Sequence, residues 1–137
     1  MSFFAFSSPK KPFNKQEITT FINSLPNVLQ FEEPEHKNTF ILAGHHYESI
    51  KKPVSHKRFE EKEEPLWTCP QIWLSDELVE VGVNWSDTVE NELRKFCLYI
   101  LDNYECTGVD HDAYKYATNK ECMDWIDEWL LERSGSK

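Results

Sequence analysis

The residues whose types could do chemistry are His45 and His46, next to Gly44, and Cys106 with His111, the latter flanked by Asp110 and Asp112. Adjacent imidazoles are parts of a metal site, and a thiol, an imidazole base and an orienting carboxylate are parts of a nucleophilic one. The spacing favours neither. Read as strand residues at a hairpin, His45 and His46 send their rings to opposite faces and cannot chelate one ion together. No family-type signature surrounds Cys106, and Cys97 falls inside an apolar helical pattern, where a thiol is inert. A glycine-rich phosphate loop, a CxxC pair, an HExxH helix and a GxSxG elbow are missing, and 4 glycines in 137 residues leave little backbone for cradling phosphate. The expectation is therefore no catalytic residue, no metal and no cofactor. A small enzyme built on His45, His46, Cys106 or His111 is the competing reading.

Charge is more informative. Of the net charge of −9, all the excess lies beyond residue 75, because the preceding residues balance. From Glu121 to Glu132 the chain carries Glu121, Asp124, Asp127, Glu128 and Glu132 with no basic residue between them. On a helix, like charges three or four residues apart cost about 0.2–0.5 kcal/mol per pair, and acids in the last turn oppose the macrodipole. Asp102, Glu105, Asp110 and Asp112 extend the acidity upstream, with Tyr114, Tyr116 and Trp125 at its edge. Such a surface repels nucleic-acid phosphate and anionic lipid and attracts a basic protein. The candidate partner-binding residues are Asp110, Asp112, Tyr114, Tyr116, Glu121, Asp124, Asp127 and Glu128. A purely solvating acidic face, screened by Lys51, Lys52, Lys57 and Arg58, is the bland counterpart.

The elements that must position these groups follow from periodicity. Asn14 with Glu17 forms a capping box ahead of Ile18, Phe21, Ile22 and Leu25, which predicts a short helix closed by Pro26. Residues 28–31, 39–42 and 47–50 read as a three-strand meander. Residues 53–65 read as an exposed loop, and 66–74 and 78–83 as further strands, Pro70 confining the first of these to an edge or interrupting it. A second capping box, Asp87 with Glu90, opens a central helix carrying Leu93, Phe96, Cys97 and Ile100. A third, Thr118 with Glu121, opens a helix whose core stripe is Cys122, Trp125, Ile126, Trp129 and Leu130. Residues 1–12 and 134–137 read as flexible. The expected fold is a single α+β domain, an antiparallel sheet of about five short strands with an N-terminal helix and two C-terminal helices packed on it.

No run of about 18 apolar residues predicts a membrane span, and the first residues lack a signal peptide's length. The scattered Cys69, Cys97, Cys106 and Cys122 read as free thiols in a reducing compartment, so the expected location is the cytoplasm. In size and composition the chain looks like small acidic inhibitor or immunity proteins that neutralise a basic nuclease toxin. That resemblance implies a binding protein without chemistry of its own and carries over no residue. A subunit of a larger assembly, anchored by Trp67, Trp73 or Trp85, is a third reading.

Overall fold

The computed structural model describes residues 2–83 and 89–135, with backbone alone at 133–135. In chain order the elements are β1 (Ser2–Ser7), α1 (Lys15–Asn23), β2 (Val28–Gln30), β3 (Thr39–Leu42), α2 (His56–Glu60), β4 (Gln71–Leu74), β5 (Leu78–Val83), α3 (Glu90–Asn103), β6 (Thr107–Asp110), β7 (Lys115–Tyr116) and α4 (Asn119–Gly135), with short 3-10 turns between some of them. The strands form one antiparallel sheet in the order β2-β3-β4-β5-β1-β6-β7. The α+β class is as expected, with seven strands where about five were read.

The largest departure is at the start of the chain. Residues 2–7, expected with a flexible end, form a central strand between β5 and β6. The cause is alternation: Phe4 and Phe6 face the helices and are fully buried, while Phe3 and Ala5 point to the other side and are half-buried. In register, Phe4 lies between Val81 and Asp110, and Phe6 between Val79 and Gly108.

On the helical face, Ile18 and Ile22 of α1, Phe96 and Ile100 of α3, and Cys122 and Ile126 of α4 close over the phenylalanines. Behind β2 and β3, a second cluster joins Leu29, Phe31, Ile41 and Ala43 to Ile50, Val54, Leu66 and Cys69. Residues 39–43 are apolar without interruption after Thr39 because this end of the sheet is buried on both sides.

Two further expectations change here. Residues 47–50 are a turn rather than a strand, and the 3-10 turn Gly44–His46 precedes them. Residues 53–65 are not wholly an exposed loop: they contain α2, Val54 is buried, and Phe59 packs on the second cluster. The 66–74 strand is shortened to β4, with a 3-10 turn at Leu66–Thr68 and Pro70 just before the strand, where no ladder donor is lost.

The helix starts behave as their capping chemistry dictates. Asn14 accepts from the Glu17 N–H at 3.1 Å, and Thr118 Oγ1 accepts from the Glu121 N–H at 3.2 Å. The expected Asp87 cap lies outside the described residues; α3 begins with Val89 at its N-cap position and no side-chain cap bond.

Gly108 is where β6 and α4 meet. A Cβ there would overlap the Phe4 ring and sit 2.9 Å from Cys122 Sγ. Gly108→Ala is expected to cost about 1–3 kcal/mol through forced repacking, read as a lower urea midpoint. Thr107→Ala, on an exposed neighbour, is expected to stay within about 0.5 kcal/mol.

Candidate functional site

The acidic half of the chain is assembled around the β6–β7 turn and the outer side of α4. Phe4 stacks on Trp125 at 5.0 Å, and Trp125 lies 5.1 Å from Trp129 and 5.9 Å, edge on, from His111. This aromatic row fixes the outer side of α4 against the turn. Asn119 fastens the other end: its Oδ1 accepts from the Cys106 N–H at 2.7 Å, and its Nδ2 donates to the carbonyls of Leu101 and Tyr104 at 2.8 and 2.9 Å. One side chain thereby joins the end of α3, the start of β6 and the start of α4.

Among the expected partner-binding residues, Asp110 has a different task. It is buried at 3% exposure, and its Oδ1 accepts from the backbone N–H groups of Asp112 and Tyr114 at 2.9 and 3.1 Å, while Oδ2 accepts from the Tyr116 hydroxyl at 2.8 Å. Burial alone would raise this carboxyl. The donors from Tyr116, Tyr114 and Asp112, with His111 beside them, outweigh burial and hold it below the usual carboxylate range. Tyr116 pays the reciprocal effect: burial, then the Asp110 carboxylate, push its hydroxyl up to about 12. The carboxylate thus holds the turn closed around Ala113, which sits at φ 67°, a conformation unfavourable for a residue with a Cβ.

The remaining candidates lie at the surface. Asp112 and Asp124 have side chains 68% and 65% exposed, and Glu121 and Glu128 are exposed. Tyr114 is 68% exposed at the tip of the turn. Asp127 is half-buried and pairs with Arg94 of α3 at 2.8 Å, and Asp124 pairs with Lys120 at 2.7 Å. Both pairs are solvated and worth about 0.2–1 kcal/mol at most.

The screening cations are elsewhere. Arg58 is held by Glu63 and by the Pro53 carbonyl, and Lys52 lies over the Tyr47 ring. Among the described residues, the ion pairs from the first half to the acidic half are Lys10 with Glu105 and Lys15 with Asp76, neither of them on α4.

Between the turn and α4 is a notch of about 190 Å³ lined by His111, Asp112, Trp125, Glu128, Trp129 and Glu132. The sequence placed Trp129 in the core and did not single out Glu132 as a contact. The i, i+3, i+4, i+7 spacing from Trp125 to Glu132 was a usable signal, but it reads equally well as a core stripe with a wet margin.

The residues considered for chemistry are placed differently. Cys106 and His111 stand at opposite ends of β6, five residues of extended chain and therefore about 16 Å apart. Cys106 is buried, and burial, then Cys122, push its thiol up to about 12; burial likewise pushes Cys69 and Cys122 up to about 11. The thiols of Cys69, Cys97, Cys106 and Cys122 are all free and buried.

His45 and His46 do not point to opposite faces. They share the 3-10 turn after Ala43, with ring centroids 3.9 Å apart, and burial together with His45 lowers the His46 pKa. No group of three or more His, Cys, Asp or Glu side chains suited to a metal ion occurs among the described residues. Trp67 and Trp73 are half-buried, Lys62 lying over the Trp67 ring, and Trp85 is outside the described residues. No helix of the described residues is long and apolar enough to cross a membrane.

No protein-family model, curated protein or solved structure matches the chain.

Asp110→Ala leaves two backbone donors and a phenol without their acceptor and is expected to cost about 2–4 kcal/mol. Asp112→Asn, exposed, should stay within about 0.5 kcal/mol. Because the folded-state pKa of Asp110 is depressed, its contribution is complete above the unfolded value of about 4 and is lost as pH falls through the folded value. The gap in urea midpoint between wild type and Asp110→Ala should therefore be full at pH 7 and shrink steadily below pH ~4.

Proposed function

We propose that this chain is a small acidic binding protein that docks onto a basic protein, the foremost case being an immunity or inhibitor protein that blocks a nuclease-type toxin in the cytoplasm. The observation that carries this reading is the convergence of Asp112, Glu128 and Glu132 on two indoles in one notch, with Glu121 and Asp124 continuing the acidic side of α4. Carboxylates on a rigid helix present negative charge where nucleic-acid phosphate would otherwise lie on the partner. Complementary potential steers the encounter, and aromatic groups at the margin anchor it. Tyr114, exposed beside Asp112, is the anchor on the turn.

Asp110 and Asp127 contribute indirectly, the first by shaping the turn and the second through its tie to α3. Cys106, buried and remote from His111 along β6, lends no support to thiol chemistry.

The test is a joint charge reversal, Asp112→Lys, Glu121→Lys, Asp124→Lys and Glu128→Lys, all at exposed positions. Affinity capture from native cells identifies proteins held by the wild type and released by salt, and stopped-flow mixing then gives their association rates. A basic protein should associate at least about tenfold more slowly with the variant, with a flattened dependence on ionic strength. A partner that binds both forms at the same rate at every salt concentration removes the electrostatic reading. Loss of toxin nuclease activity on addition of the wild type, and its return with the variant, would identify the inhibitor role.

A further inference from the structure

The notch has features that a solvating acidic face does not need. Its inner wall includes Trp129, only 6% exposed, whose indole N–H is buried without an acceptor among the described residues. A buried donor left unmet costs about 1–3 kcal/mol, so natural folds rarely keep one without a reason. Its rim carries Asp112, Glu128 and Glu132, and among the described residues no lysine or arginine pairs with any of them. Among the described residues that line it, the cationic-capable one is His111, whose Nε2 lies 3.6 Å from Asp112 Oδ2. Trp125 adds a second indole, held in place from behind by its stack on Phe4.

Size decides the class of occupant. At about 190 Å³ the notch falls short of the roughly 300–1,000 Å³ typical of small-molecule sites, and it suits a single side chain. Charge decides the sign, since carboxylates surround an aromatic wall. Shape decides between the two strong cations. A guanidinium is planar, weakly hydrated, stacks on indole and bonds carboxylates two at a time, whereas an ammonium is a compact and strongly hydrated point charge.

We propose that the notch between the β6–β7 turn and α4 is an arginine socket. It takes one arginine of a basic protein partner, the guanidinium lying against the indoles and bonded by Asp112, Glu128 and Glu132. This inference rests on the docking reading and names the group that is recognised.

The test uses the full chain and three small probes followed by two-dimensional ¹⁵N NMR: N-acetyl-arginine N-methylamide, the corresponding lysine amide, and the citrulline amide, a neutral near-isostere of arginine. The arginine probe should bind with an affinity of about millimolar, shift the indole N–H signals of Trp125 and Trp129, and bind several-fold more tightly than lysine. Citrulline should give no saturable shift. Glu128→Gln and Glu132→Gln, conservative changes at exposed positions, should each weaken the arginine probe roughly three- to tenfold while leaving the rest of the spectrum in place.

Equal binding of citrulline and arginine, equal binding of lysine and arginine, or arginine shifts that bypass both indoles would each overturn the socket. Failure here is distinguishable from failure of the docking reading. If the arginine probe does not bind but charge reversal still abolishes salt-dependent association with a basic protein, the socket falls alone. If the probe binds as expected but charge reversal, which removes two of the three socket carboxylates, leaves association unchanged, the docking reading falls and takes with it the assignment of the arginine to a basic protein partner.

Discussion

The Phe4 ring occupies the space between the sheet and the last helix. It stacks on Trp125, meets Phe6 edge on at 5.0 Å and Tyr116 at 5.6 Å, and fills the volume that a side chain at Gly108 would need. A ring so placed cannot move without moving both β6 and α4. Everything distinctive about the acidic half of the molecule follows from that constraint. Trp125 is held flat against the core, so its far side is free to contribute to a surface notch, and Tyr116 is held where its hydroxyl reaches Asp110.

Two kinds of negative charge result, and they behave differently. Asp110 is enclosed and saturated with donors, so its charge serves the backbone and is hidden from solvent. Glu121, Asp124, Glu128 and Glu132 are exposed and repel one another along one helix, offset only by solvated contacts such as the pair of Asp124 with Lys120. Their cost is met by the opposite face of the same helix, where Cys122, Ile126, Trp129 and Leu130 are buried. A locally unfavourable arrangement maintained by packing elsewhere is the pattern expected where a surface has been kept for an interaction.

How much of this could be read from the residues alone depended on how local each signal was. The caps Asn14 and Thr118 act within three residues, and α1 and α4 were legible for that reason. The pattern of β5 was equally clear, with Val79, Val81 and Val83 buried on one side. Strand β1 was not legible, because its six residues are short, apolar on both sides and paired to segments more than 70 residues away. In the site, the acidity of α4 and the adjacent turn was evident, but which acids face water was not. Asp110 looked like one more carboxylate, and only the path of the turn after it shows two amides and a phenol converging on it. His45 and His46 were misplaced for the converse reason: a strand was extended through a segment that coils, and rings expected apart lie together.

The central position of β1 also has a consequence for biosynthesis. Phe3, Phe4, Ala5 and Phe6 leave the ribosome long before either neighbouring strand exists, and the second, β6, follows about a hundred residues later. At a translation rate of about 5–20 residues per second, that interval lasts roughly 5 to 20 seconds. During it the apolar strand has two unpaired edges until β5 is made and one until β6 follows, open to chaperones or to neighbouring nascent chains. The charged surface can therefore be completed only late, and a truncated chain ending before β6 would leave one edge of its apolar first strand unpaired.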